Sequence, residues 1–356
     1  MDTITHALVG AVTARAAAPG ASSDKHLPIK IRVIVGGLAA AFPDIDFITL
    51  WINPLAYIAD WHRAETHSFV MLPLWAMLLG VLFAWIAKRR HHWQEFAIIC
   101  GLAIFSHIVT DLITSWGTMI FAPISGYRAN LGLTFIIDPL FTLIILTGLV
   151  VALVRHSRRI ARLGLVVLAV YVGAQSVLKF QATAIGEAYA AKRLWSDAQV
   201  HTLPQPFSPF HWKIVVNNGR HYHVSYVDLI AGDDKPVPDK TRTSLLAVIN
   251  YYRPHSQLQW QSYKTADSDR LALEVWQRPE MAPYRRFARL PVLLRVDRTG
   301  TSHCVWFVDL RFVIPTRISP FRYGMCKQGR EGEWQLYQLQ QFSEDIKLRV
   351  SSVGPK

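Results

Sequence analysis

Cysteine is scarce in this chain: 356 residues carry three, which excludes a disulfide-dense scaffold. Charge is thin as well. Asp, Glu, Lys and Arg make up 18% against 51% apolar residues, and the mean hydropathy is +0.20; a soluble enzyme of this length is usually less oily. There is no internal repeat and no low-complexity tract, which excludes a solenoid. The Met1 segment lacks a basic n-region and an Ala-x-Ala-like cleavage site, so it does not read as a removable signal peptide. Acidic residues are outnumbered 25 to 38, leaving a formal charge of +13.

The apolar residues are concentrated. Nearly continuous runs cover Phe69 to Ala87, Phe96 to Ile113, Leu140 to Val154 and Leu163 to Leu178, most of them near the roughly 20 residues that cross a bilayer. They read as membrane helices. Ala7 to Ala18 and Ile31 to Phe42 are shorter, the pattern of a helical hairpin that enters the membrane only partly. From about Ala182 the pattern changes to short β-branched and aromatic runs between Gly, Pro, Asn and Asp clusters: His211 to Val216, His221 to Val227, Leu245 to Tyr252, Leu271 to Trp276, Pro291 to Val296, Cys304 to Val313 and Trp334 to Phe342. These predict strands. The expected architecture is an α-helical polytopic membrane domain over residues 1–181, a linker over 182–210 that holds Pro204, Pro206 and Pro209, and a β-rich (α+β) soluble domain over 211–356.

Metal-type ligands lie where such a chain can least accommodate them: Thr5-His6, Pro43-Asp44-Ile45-Asp46, the run His62 to Ser68, and His107 to Asp111. Ionisable groups at membrane depth are costly unless they pair, bind an ion or line a wet cavity. Basic residues cluster at Lys25 to Arg32, Lys88 to Arg90 with His91 and His92, and Arg155 to Arg162, and the positive-inside rule places all three clusters in the cytoplasm. Alternation of the helices then puts His6, Asp44, Asp46, His62, His67, His107, Asp111 and Asp138 at the outer face. The charge rule was not asked for that agreement. The same topology exports the C-terminal domain, where Cys304 and Cys326 can pair in an oxidising compartment, while Cys100 stays free within a helix.

His107 and Asp111, four apart on a helix, reach one ion; a buried His–Asp hydrogen bond is the plainer explanation, since Ser106, Thr110, Thr114 and Ser115 make this helix end polar. Asp44 and Asp46 project together only from extended backbone. His67 abuts the membrane helix and is preferred over His62 as a ligand. Asp46 or Glu65, if not ligands, can accept a proton from water. Arg63 and Arg128 are external cations suited to an anionic substrate; Ser115 joins them as a substrate-binding candidate, and Asp138 is explained equally as a helix cap. A histidine and carboxylate set without cysteine favours zinc, one ion or two, with manganese or iron as substitutes.

At these residues the chain resembles a known family. Met1-Asp2-Thr3-Ile4-Thr5-His6 with Gly10, Pro43-Asp44-Ile45-Asp46, His62-Arg63 to Thr66-His67-Ser68, His107 to Asp111 and Ser115-Trp116-Gly117 are similar to the YdjM-like family, bacterial inner-membrane proteins described as metal-dependent hydrolases. The likeness covers roughly residues 1 to 180 and departs at Ala64, where glycine is expected. More distantly, the order His, Asp, His, His-x-x-x-Asp is similar to zinc-dependent phospholipases C and related single-strand nucleases. That likeness implies phosphodiester hydrolysis, with His6, Asp44, His62 or His67, His107 and Asp111 as ligands and Asp111 a candidate bridge between two ions. The chain lacks the further His-x-x-x-Glu pair of those enzymes; His156 is followed by Ser157-Arg158-Arg159-Ile160. Their amino-terminal ligand comes from a processed chain, which an unprocessed Met1 does not reproduce.

After Ala182 the chain carries 24 Lys and Arg against 16 Asp and Glu. Tyr284-Arg285-Arg286-Phe287 and His221-Tyr222-His223 mix aromatics with cations, which an exported location directs to anionic lipid or envelope polymer rather than nucleic acid; a solvated strand face explains them more simply. The function expected is a metal-dependent hydrolase in the inner membrane, acting on a phosphodiester or other lipid-linked ester, with the C-terminal domain outside the cytoplasm. A ceramidase-like amide or ester hydrolase is the near alternative. A non-catalytic scaffold or sensor with a structural metal is the distant one.

Overall fold

The computed structural model describes residues 1–19, 26–233, 248–299, 302–329, 332–340, 343 and 346–350. The chain divides into two units, Met1–Ile48 with Trp61–Val177, and Thr49–Asp60 with Leu178–Lys356. Its helices begin with α1 (Thr3–Ala16), α2 (Ile29–Ala41), which runs on as a 3-10 helix over Phe42–Trp51, and α3, a single turn at Pro54–Ala56. The longer ones follow: α4 (Leu72–Ile86), α5 (Trp93–Leu112), α6 (Pro139–Val154) and α7 (Arg158–Lys192).

Local chemistry sets the first hairpin. Asp2 caps α1, accepting from the Thr5 amide at 3.0 Å and the Thr5 hydroxyl at 2.7 Å. The α1 and α2 backbones then touch at two glycines: a Cβ on Gly10 would stand 2.3 Å from the Gly36 carbonyl oxygen, and one on Gly36 would stand 2.6 Å from that of Gly10. Only glycine permits this approach. It brings the start of α1 and the end of α2, which carry His6 and Asp44, to one end of the hairpin.

Helices α4 and α6 stop in the same way. Beyond α4, the Arg89 amide donates to the Ala84 carbonyl at 2.9 Å and the Lys88 amide to that of Trp85 at 3.1 Å, with Lys88 at φ +54°. Beyond α6, Ser157 bonds Ala152 at 3.0 Å and His156 bonds Leu153 at 3.2 Å, with His156 at φ +48°. Both are Schellman stops. Both put side chains that are or can become cationic where the helix dipole is negative.

Among the described residues, three helices are long and apolar enough to cross a membrane: Ile29–Trp51, Arg90–Leu112 and Arg158–Lys192. Pro54–His67 and Leu72–Ile86, bent by 69° at their break, make a fourth if taken as one span, and Pro139–Val154 is shorter. The second hairpin helix, expected to be short, thus reaches 23 residues through its 3-10 extension. Helix α7 exposes Leu163, Val166, Val170 and Phe180, an apolar surface that water would not tolerate and lipid would.

The second unit holds two antiparallel meanders, β1-β2-β3-β4 and β5-β6-β7-β8-β9. The first comprises β1 (Gln199–Pro204), β2 (His211–Asn217), β3 (His221–Asp228) and β4 (Gln261–Lys264); the second comprises β5 (Pro291–Thr299), β6 (Ser302–Asp309), β7 (Tyr323–Gln328), β8 (Gln335–Leu339) and β9 (Lys347–Arg349). One core cluster draws Val215, Val224 and Tyr226 from the first sheet and Val292 and Val308 from the second. On the other face of β2, Trp212, Ile214 and Val216 pack with Ala182 and Ala190 of α7. Strand β2 is therefore buried on both faces, which explains why Ile214, Val215 and Val216 follow one another without polar alternation. Residues 182–210, expected as a linker, hold the last turns of α7 and all of β1. Cys304 and Cys326 lie opposite one another in register and are disulfide-bonded.

Two strands expected from sequence take other forms. Leu271 to Trp276 lies in a helix, α8 (Arg270–Gln277), because Asp269 caps it by accepting from the amides of Leu271 and Ala272; the Leu-x-Leu-x-Val alternation there is incidental. Of Leu245 to Tyr252, residues 245–247 lie outside the described residues, and Val248 and Ile249 are helical. The end of the Trp334 to Phe342 strand, at 341–342, also lies outside them. Tyr284-Arg285-Arg286-Phe287 is not a strand face either. It sits on α9 (Ala282–Phe287) with Tyr284 and Phe287 buried, Arg285 donating to the carbonyls of Trp276 and Arg278, and Arg286 paired with Asp60 at 2.8 Å.

Candidate metal centre

Every ligand candidate lies in the first unit, and the structure brings most of them together. His107 and Asp111 share one face of α5, as their spacing requires. His107 Nδ1 donates to the Ala40 carbonyl at 2.6 Å. A carbonyl only accepts, so the proton is on Nδ1 and Nε2 carries the bare lone pair of a metal ligand. That Nε2 is 3.4 Å from Asp111 Oδ2 and 3.7 Å from Asp44 Oδ1.

His67 enters from the 3-10 turn Glu65–His67. Its Nε2 lies 3.3 Å from Asp111 Oδ2 and 3.6 Å from Asp44 Oδ1, while Nδ1 faces the Thr66 hydroxyl at 2.9 Å and Asp46 at 3.6 Å. Asp44 is held by the Thr3 hydroxyl, which donates to Oδ2 at 2.6 Å. The side chains of His67, His107 and Asp111 are wholly buried, and His67 Nε2, His107 Nε2 and Asp111 Oδ2 have no hydrogen-bond partner. Buried polar atoms in that state are rare without a reason. Ligands about 2.0–2.1 Å from a tetrahedral zinc stand about 3.3–3.4 Å apart, close to the 3.3, 3.4, 3.6 and 3.7 Å contacts among these four atoms.

The other oxygen of Asp111 is differently engaged. Oδ1 accepts from Arg63 Nη2 at 2.7 Å, from the Met1 amino group, and faces His6 Nε2 at 3.1 Å. His6 bonds the Thr110 hydroxyl through Nδ1 at 3.0 Å and stacks on His107 with ring centroids 3.6 Å apart. Ligand atoms of His6, Asp44, His107 and Asp111 all lie within 4.8 Å of one another. The Met1 amino group is thus at the cluster, on the Asp111 oxygen that faces away from His67 and His107. The sequence clue to the supporting hydroxyls was the Thr3 and Thr110 pair flanking the histidines.

Residues 1–182 match the family described as YdjM inner membrane protein. The chain belongs to that family. No curated protein and no solved structure matches it. In this YdjM-family member the remaining candidates fall outside the four-atom group. His62 bonds Asp46 through Nδ1 at 3.1 Å, and Asp46 Oδ2 also accepts the Arg63 amide at 2.9 Å. The turn's positive φ falls on Arg63, at +58°, so Ala64 is no obstacle where glycine was expected. Arg63 is buried and donates to the Thr114 hydroxyl at 3.0 Å as well as to Asp111. Arg128 is a buried backbone clamp, donating to the carbonyls of His62 at 3.1 Å and Gly117 at 3.3 Å. Asp138 caps α6, accepting from the amides of Leu140 and Phe141, and its Oδ2 accepts a hydrogen bond from the Tyr171 hydroxyl at 2.7 Å. Ser115 has a buried hydroxyl with no partner. Glu65 is exposed, and its backbone carbonyl accepts from the Trp75 indole at 3.0 Å.

Proposed function

We propose that this protein is a membrane-embedded, metal-dependent hydrolase of phosphodiester or other lipid-linked ester bonds. One observation carries the reading: three buried, partnerless atoms, His67 Nε2, His107 Nε2 and Asp111 Oδ2, converge with Asp44 Oδ1. Two imidazoles and two carboxylates suit zinc, with manganese or iron as substitutes, better than calcium or magnesium. Asp44, His67, His107 and Asp111 hold the ion, with His6 against the far oxygen of Asp111. Such an ion supplies a Lewis acid that polarises an ester oxygen and acidifies water.

The chain's own side chains supply the rest. Asp46 orients His62 through Nδ1, which turns Nε2 into the group that takes and returns a proton; Asp46 is then a positioning residue, not the base itself. Arg63 keeps a guanidinium beside the paired carboxylates and offers charge to an anionic ester. Ile4, Ile45, Phe47 and Ile48, sequence neighbours of the ligands, are between 47% and 73% exposed, an apolar rim suited to a substrate with acyl chains.

A structural metal is the second reading, favoured by the four protein atoms whose mutual contacts already resemble a closed tetrahedron. Zinc content and turnover on labelled phosphatidylglycerol separate the two. The hydrolase reading expects one equivalent of zinc in wild type and in His62→Gln, with turnover lost only in the variant. One equivalent with no turnover of either a phosphodiester or an N-acyl lipid moves the assignment to a structural metal. No bound metal after reconstitution refutes both.

A further inference from the structure

At the end of the α4–α5 hairpin opposite His67, His107 and Asp111, two adjoining grooves share Trp85 and Arg90. The first, about 680 Å³, is lined by Met77, Leu78, Val81 and Leu82 of α4, with Trp85, Trp93 and Arg90 at its end. The second, about 740 Å³, is lined by Trp85, Ile86, Lys88, Arg90 and His91. One groove is apolar, the other cationic, and two tryptophans mark the join. Tryptophan concentrates at membrane–water interfaces, so the pair of grooves has the polarity of an amphiphile with an anionic head.

The α4 stop adds an independent observation. Lys88 holds φ +54° at the position where a Schellman stop ordinarily takes glycine. A lysine there is strained backbone, and Lys88 lines the cationic groove. Met77, Val81 and Trp85, and likewise Leu78 and Leu82, recur at helical spacing on one side of α4, each between 45% and 59% exposed. Acyl chains of any bilayer lipid cover such a surface. The Lys88, Arg90 and His91 cluster selects among headgroups.

We infer that this end of the α4–α5 hairpin is a seat for an anionic phospholipid, its acyl chains along α4 and its phosphate between Lys88, Arg90 and His91. The seat is separate from the metal centre and does not depend on its chemistry. Under the positive-inside rule the basic turn faces the cytoplasm, so the lipid is one of that leaflet.

The test is native mass spectrometry of the full chain in detergent, titrated with phosphatidylglycerol, with phosphatidylcholine, and with glycerol 3-phosphate as a soluble headgroup. Two cations near a headgroup correspond to a preference of about tenfold or more. Wild type is expected to retain phosphatidylglycerol over phosphatidylcholine by that factor and to ignore glycerol 3-phosphate. The preference is expected to fall to about twofold or less in Lys88→Gly/Arg90→Gln, with glycine chosen because it relieves the positive φ and so favours the fold. Equal retention of the two lipids by wild type overturns the inference, as does an unchanged preference in the variant. Binding of glycerol 3-phosphate as tight as that of the lipid also overturns it, because the site would then be one for a free anion.

Discussion

Replacing Asp111 by Asn removes one negative charge and changes almost nothing else in shape, yet five groups face that carboxylate. Arg63 and the Met1 amino group bond Oδ1, with His6 beside them, while His67 and His107 face Oδ2. Arg63 and Asp111 are 3% and 0% exposed, so water cannot replace the lost carboxylate. Breaking a buried ion pair from one side costs about 3–5 kcal/mol, most of it the desolvation of the stranded partner. That cost is present with or without metal. Removing both partners in Asp111→Asn/Arg63→Met should recover most of it, because no buried guanidinium remains. The assay is a denaturant titration of the full chain in mixed micelles, run with chelator so that metal linkage does not contribute. Asp111→Asn is expected to lose about 3–5 kcal/mol and the double variant markedly less. If metal-free Asp111→Asn falls within about 1 kcal/mol of wild type, Arg63 is not buried against this carboxylate and the geometry argued for the centre is wrong.

Two other expectations follow from particular contacts. A Cβ on Gly80 would lie 2.6 Å from the Ala97 Cα and amide nitrogen, so Gly80→Leu should force α4 from α5 and cost about 1–3 kcal/mol or more, whereas Gly126→Ala, with nothing within 4 Å, should leave thermal unfolding in detergent unchanged. In the second unit, Lys213 is fully buried and donates to the carbonyls of Leu310 and Val313, and burial pushes its ammonium down to about 7. The unfolded chain keeps that proton up to about pH 10.5, so between pH 7 and 9 the unfolded state binds more protons and stability rises with pH; Lys213→Met should flatten that rise, and an unchanged slope would show that the lysine is charged in the fold.

What was legible in the sequence depended on burial. His6, Asp44, His107 and Asp111 could be found because polar residues beside apolar runs demand an explanation, and the basic turns oriented those runs. His67 was preferred over His62 for the helix it abuts, but the geometry behind that preference was hidden. It depends on Arg63 taking a left-handed backbone, which no spacing announces, so that His67 turns inward to Asp111 while His62 meets Asp46. The Arg128 clamp was equally hidden, since its partners are backbone carbonyls 66 and 11 residues away. For Leu271 to Trp276, a short apolar run fits strand and helix alike; Asp269 at its head was the residue that decided it.

On the proposed reading, the centre takes one ion rather than two. Asp111 was the natural candidate to bridge a pair, but its two oxygens face opposite chemistry. Oδ2 meets the imidazoles of His67 and His107, the latter presenting a bare nitrogen, whereas Oδ1 is already met by the Arg63 guanidinium and the Met1 amino group. A divalent ion on Oδ1 would stand beside that guanidinium. At about 4 Å and an effective dielectric of about 20 the repulsion is on the order of 8 kcal/mol, more than the single remaining neutral ligand, His6, offsets. Arg63 therefore stands in the position a second metal would need. It supplies fixed positive charge on one side of the bridging carboxylate and leaves the other side to the ion, so losing Arg63 should disturb the anionic substrate as much as the fold.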